Sequence, residues 1–107
     1  MDWNNIQDAQ RAITQWADKQ FPNRKPEHTL MKLVLQEVGE YYSNPGSPGE
    51  FADMLILLFD LASMHDINIA KALEDKMMVN VRRHWVMDPK TGLAQHVERI
   101  EDWADET

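Results

Sequence analysis

The chain has no cysteine among its 107 residues, which excludes a disulfide framework, a thiolate zinc site and a thiol nucleophile. Its four glycines never gather into a phosphate-cradling loop, so a Walker-type mechanism is unavailable. Long hydrophobic runs are missing too. The longest strongly apolar stretch, Met54 to Phe59, falls far short of the roughly 20 residues that span a bilayer. The opening MDWNNIQDAQ lacks the basic start and apolar run of a signal peptide. A cytoplasmic location with no membrane partner is the expectation. Cations are scarce: 11 Lys and Arg against 18 Asp and Glu give a formal charge of −7. That balance argues against a nucleic-acid polymer as partner, because backbone binding draws on cationic side chains. A small phosphorylated ligand stays compatible, since a bound divalent cation inverts the local sign of charge.

What is present suits one folded domain over residues 1–107, with a core at about 3–85 and an extension over 86–107. Trp3, Ile6, Ala9, Ile13, Trp16 and Ala17 recur at helical spacing and predict a first amphipathic helix over 3–20. FPNRKP interrupts it, and a second helix is expected over 27–42 before the turn-rich SNPGSPG. A third should start near Pro48–Glu50 with Ser47 as its N-cap. It is apolar nearly all round from Phe51 to Met64, the pattern of a helix buried among others. Asp66 or Asn68 can cap a fourth helix over 69–85. MDPKTG breaks that, and a short acidic helix over 93–104 is expected to follow. No stretch alternates with period two for long enough to predict a sheet. The expected fold is all-α, a four-helix core with a C-terminal helical appendage.

Two pairs of acids flank the Pro/Gly turn, Glu37/Glu40 and Glu50/Asp53. Residues three apart share a helix face, so each pair is a two-carboxylate clamp. Antiparallel packing of helices two and three brings the clamps together. Four converging carboxylates repel unless a cation neutralises them, and hard oxygen ligands without sulfur or paired histidines suit Mg²⁺ or Mn²⁺. The ordinary alternative is a solvated acidic face. It serves well enough for Glu37/Glu40 and less well for Asp53, which runs straight into Met-Leu-Ile-Leu-Leu-Phe. Burying an unpaired charge there costs several kcal/mol, although the helix macrodipole gives some relief. Asp60, two turns on, either extends the acidic site or marks an exposed stripe. A di-iron bundle wants Glu-x-x-His on two helices, and no Glu here has a His three residues later.

Downstream, Lys76, Asn80 and Arg83 follow i, i+4, i+7 and are expected on one face of the fourth helix. Ammonium, carboxamide and guanidinium together suit phosphate oxygens; simple surface charges are the alternative. Met77, Val81 and Trp85 would face the core. Carboxylates for a metal beside cations for phosphates is a recurrent logic of phosphate chemistry.

Glu37-x-x-Glu40, Glu50-x-x-Asp53 and Lys76-x-x-x-Asn80-x-x-Arg83, within HTLMKLVLQEVGE, EFADMLILLFDLA and KMMVNVRRHW, resemble the MazG-like all-α nucleoside triphosphate pyrophosphohydrolases, particularly the small stand-alone members. The likeness covers residues 28–85 and, more loosely, helix one. It implies Mg²⁺-dependent hydrolysis of (deoxy)nucleoside triphosphates to monophosphate and pyrophosphate, with Mn²⁺ as a substitute. Carried over, Glu37, Glu40 and Asp53 would hold metal, and Glu50 would hold metal or orient the water. Lys76, Asn80 and Arg83 would contact phosphates, with help from Lys32, and Trp16 or His28 would line the base pocket. For Trp16, ordinary packing on the helix-one stripe is the competing account. The resemblance also implies a homo-oligomer, dimer or tetramer. Two departures stand out: only nine residues separate Glu40 from Glu50, and Gln36 occupies a position where many relatives carry an acid. Gly39 sits mid-helix, which suggests either a close approach or a helix irregularity. A rival of another class is a non-catalytic helical oligomer, a binding or regulatory module with a solvated acidic face.

Overall fold

The computed structural model describes residues 3–97. They fall into two compact units, one running through Ala72 and one from Leu73 onward. The four expected helical rods are all present. Helix α1, Ile6–Gln20, starts where Asn5 Oδ1 accepts the Asp8 amide at 2.8 Å. Helix α2 is Pro26–Lys32, with Pro26 at the first helical position, where its missing N–H is no loss. It continues without a break into a π-helical stretch, Leu33–Glu37, and then α3, Val38–Ser43. Helix α4, Pro48–Met64, is capped as expected: Ser47 Oγ accepts the Glu50 amide at 3.3 Å. The turn before it passes through Gly46 at φ 89°, which a side chain would strain. Helix α5 spans Ile69–Asn80, and Asn68 is its cap, its Oδ1 accepting the Lys71 amide at 3.0 Å.

In the first unit α4 is the central rod, contacted by α1, α2, the π stretch and α3. The buried set is small and half polar: Ile13, Ala17, Leu33 and Ala62 beside Gln10, Thr29, Glu37 and Asp60. Polar groups are tolerated because most are paired. Gln10 donates to Ser63 Oγ and to the Ile67 carbonyl, and accepts the Ile69 amide, while Thr14 donates to Ser63. That network ties α1 to the end of α4 and the turn beyond it. The apolar surface of α4 is not covered as its sequence suggests, for Phe51, Leu55 and Leu58 are all exposed within this chain.

The second unit corrects two expectations. The fourth helix ends at Asn80 rather than Trp85, and a two-stranded antiparallel hairpin follows, β1 His84–Met87 and β2 Ala94–Val97. Its register pairs His84 with Val97 and Met87 with Ala94. Asp88 closes the connection: its amide donates to the Leu93 carbonyl, its carbonyl accepts from Gly92, and its Oδ1 accepts the Lys90 amide. Gly92 supplies the φ of 73° that the turn needs. Trp85 folds back on the helix end, its indole N–H donating to the Asn80 carbonyl at 2.8 Å, and meets His96 edge to face. The helix expected over 93–104 is therefore a strand over Ala94–Val97, and its remainder lies outside the described residues. Met77, Val81 and Trp85, expected to face a core, are exposed. Among the described residues no helix is long and apolar enough to cross a membrane.

Candidate active site

The tight loop between α3 and α4 sets the C-terminal part of one rod beside the N-terminal turns of the other. Glu37, Glu40, Glu50 and Asp53 meet there, one oxygen from each lying within 4.8 Å of the rest. Glu37 is 5% exposed. Its Oε1 takes the Lys32 ammonium at 3.0 Å, whereas Oε2 is buried with no hydrogen-bond partner. Glu50 Oε2 is likewise buried and unpartnered. Buried carboxylate oxygens without a partner are costly, and a cation bound between two of them in one cluster would offset that cost. An all-oxygen donor set with vacant lone pairs fits Mg²⁺ or Mn²⁺.

The electrostatics show the same strain. Burial, then the charges of Glu40, Asp53 and Glu37, push the Glu50 carboxyl above the ordinary glutamate range. Glu40 is held below it, chiefly by the hydrogen bond it accepts from Gln36 Nε2 at 3.2 Å. Gln36 therefore has a definite job here. It accepts weakly from Lys32 at 3.4 Å and donates to Glu40, a donation no ionised acid at that position could make. The π-helical stretch leads straight into this cluster, as such bulges often do at functional sites. An added Cβ at Gly39 would meet nothing within 4 Å in this chain, so an internal close approach does not account for that glycine.

A cavity of about 890 Å³ opens beside the acids, with Glu37 and Asp53 on its wall. Trp16, His28 and Lys32 line it too. Trp16 is thus half exposed on a cavity rather than packed in a core, and it meets Phe21 edge to face at 5.7 Å. Asp60 lines the same cavity but stands outside the four-acid cluster, and it is not an exposed residue. It is 4% exposed and takes a two-pronged grip from Arg24, at 2.7 and 2.8 Å, while Arg24 also holds Asp18 at 2.7 Å. Its two acceptors raise the Arg24 pKa still further. This grip fixes the loop after α1 as one end of the cavity. Arg24 is not among the residues the sequence singles out, since it lies in the FPNRKP loop without a local partner pattern. Of the downstream trio, Lys76 and Asn80 lie one turn apart on α5, but Arg83 falls in the bend beyond the helix end and shares no helical face with them. Asn80 Oδ1 is buried without a partner.

Residues 9–106 match the family model described as dATP/dGTP pyrophosphohydrolase. The chain belongs to that family. A dATP/dGTP diphosphohydrolase of Cyanophage S-2L is 32% identical over 94 residues, covering 86% of this chain and 88% of that protein. Another, from Salmonella phage PMBT28, is 39% identical over 92 residues, and there the match spans 86% of this chain but 31% of the relative. Among solved structures, the Cyanophage S-2L MazG-like pyrophosphohydrolase, bound to dGDP and three catalytic Mn²⁺ ions per active site, superposes with a TM-score of 0.79 at 32% identity. That match covers 89% of this chain and 99% of the other. The mostly helical pyrophosphohydrolase fold is therefore shared between the two.

Proposed function

We propose that this family member hydrolyses deoxynucleoside triphosphates, dATP and dGTP foremost, between the α and β phosphates, yielding monophosphate and pyrophosphate with Mg²⁺ or Mn²⁺. The observation that carries the reading is the meeting of four carboxylates, two with empty buried oxygens, on the wall of a nucleotide-sized cavity. Bound there, a divalent cation supplies positive charge for phosphate oxygens and acidity for a water. Glu37, Glu40 and Asp53 hold it, and Glu50 either joins them or orients the attacking water. Trp16 and His28 offer flat walls for a base. Lys76 and Asn80, one turn apart on α5, and Arg83 beyond its end are two cations and an amide of the kind that phosphate oxygens take. The expectation for the two pairs is reversed: Asp53, like Glu40, is exposed, and the solvated-face alternative is disfavoured instead by Glu37, which is 5% exposed, and by half-buried Glu50 with its unpartnered oxygen.

The family match runs across both compact units, which supports treating residues 1–107 as one functional domain. We further read the protein as cytoplasmic, in keeping with a nucleotide-pool substrate, and as a homo-oligomer, dimer or tetramer, the latter on the strength of the apolar side chains left exposed on its helices.

The test is product analysis. Purified protein is incubated with purine and pyrimidine dNTPs and NTPs, with Mg²⁺, Mn²⁺ or EDTA, and the products are resolved by chromatography. Metal-dependent monophosphate plus pyrophosphate is expected, with purine deoxynucleotides fastest. Glu40→Gln and Asp53→Asn should each cost at least about a hundred-fold in turnover while keeping the wild-type circular dichroism spectrum. Full activity in both variants would sink the assignment.

A further inference from the structure

Lys32 stands at the boundary between the acid cluster and the cavity. Its Nζ is 3.0 Å from Glu37 Oε1, and its side chain, half exposed, also forms part of the cavity wall. Glu37 is thereby half neutralised: one oxygen on the ammonium, the other buried and empty. We propose that Lys32 is a built-in counter-ion that occupies the acid cluster while no divalent cation is bound and is displaced into the cavity when one arrives.

The role follows from competition for one carboxylate. An ammonium and a divalent cation sharing Glu37 repel each other at close range. The lysine is the one that can leave, because its flexible stem lets the ammonium move without moving the helix. Departure costs little, since the side chain is already half in solvent and the ammonium already has a second, weak acceptor in Gln36 Oε1 at 3.4 Å. A cation released at the cavity wall is then available to an anionic ligand, so metal loading and nucleotide binding become coupled through one side chain. The proposal rests on the reading of the four acids as a cation site, and its test separates the two.

Mn²⁺ is titrated calorimetrically, without nucleotide, into wild-type protein and Lys32→Met, and both are melted in EDTA and in saturating Mn²⁺. Lys32→Met should bind Mn²⁺ about three- to ten-fold more tightly, the scale of removing one partly screened like charge. It should nevertheless melt below wild type in EDTA, where Glu37 has lost its partner, and the gap should close in Mn²⁺. Lys32→Arg, which keeps both charge and pairing, should match wild type. Should Lys32→Met not fold, Lys32→Gln carries the same expectation for Mn²⁺ affinity. Equal or weaker Mn²⁺ binding by the neutral variants overturns the counter-ion role while leaving the cation site intact. Failure of the wild-type protein itself to bind Mn²⁺ overturns the cation site, and the counter-ion role with it.

Discussion

Glu40 and Glu50 belong to one cluster yet their carboxyls are displaced in opposite directions, and the difference is local. Glu40 has a donor in Gln36, whereas Glu50 has burial and three like charges. The consequence for stability can be signed. Glu50, with a raised folded pKa, takes up a proton in the folded chain before the unfolded chain does. Its contribution is thus full below the ordinary glutamate pKa of about 4.3 and fades as pH rises through the higher folded value. Glu40 behaves oppositely: its contribution is present above the ordinary value and is lost only as pH falls below it. In the mildly acidic window above that value only Glu50 titrates of the two. Metal-free protein should therefore gain melting temperature there relative to Glu50→Gln, compared with the same pair at neutral pH. Saturating Mn²⁺ should reverse the trend, because binding requires the carboxylates to be ionised. Thermal melts of both proteins across that window, with and without Mn²⁺, check this; parallel curves in EDTA would show that Glu50 carries no such burden. At this scale the sequence was informative about which acids meet, because three-residue spacing on helices is a rigid geometric statement. It was silent about Arg24 and Asp60, whose pairing joins a loop to a helix 36 positions away, and no local pattern encodes such a contact.

The helices were legible because their signals are local: Ser47 and Asn68 each accept an amide of the first turn and Pro48 occupies a first-turn position, whereas the first helix starts at Ile6 behind an Asn5 cap rather than at residue 3. The hairpin was not. Its strands are four residues each, too short for a period-two pattern to stand out, and MDPKTG signals a break without saying what lies on either side. The π-helical stretch was hidden for a related reason, since LVLQE reads as good α-helix and only Gly39 hinted at irregularity. Ser47 gives this scale its prediction. Its hydroxyl caps α4 through the amide of Glu50, so one bond both starts the helix and sets the backbone of a site acid. Ser47→Ala should cost about 0.5–1 kcal/mol in chemical denaturation, the lower end of the N-cap range because the bond is long at 3.3 Å. It should also weaken Mn²⁺ binding in titration, whereas Ser47→Asp should preserve both. Loss of stability with unchanged Mn²⁺ affinity would confine the cap to a folding role.

At the largest scale, the first unit buries few apolar side chains, Ile13, Ala17, Leu33 and Ala62 among its described residues. No large side chain is below 2% exposure, while Leu35 is 75% exposed and Val34 and Tyr42 also face outward. An exposed leucine alone needs no explanation. Leu30, Met31, Val34, Leu35, Val38 and Tyr42 are all exposed along α2, the π stretch and α3, and the homo-oligomer proposed above would cover such residues with a second copy of the chain. Homo-oligomers are the usual way a small chain completes its core, and their stability then depends on protomer concentration. Leu35→Glu discriminates. In a monomer, an exposed helical leucine changed to glutamate should alter stability by no more than about 0.5 kcal/mol. In an oligomer whose interface includes it, light-scattering mass should fall toward the 12.5 kDa of one chain. The melting temperature should drop as well and lose its dependence on protein concentration. An unchanged mass at or above twice that of one chain would place the interface elsewhere on the helices. A wild-type mass of one chain would mean that the apolar face of α2 and α3 stays in water, and that the site is complete within a single copy.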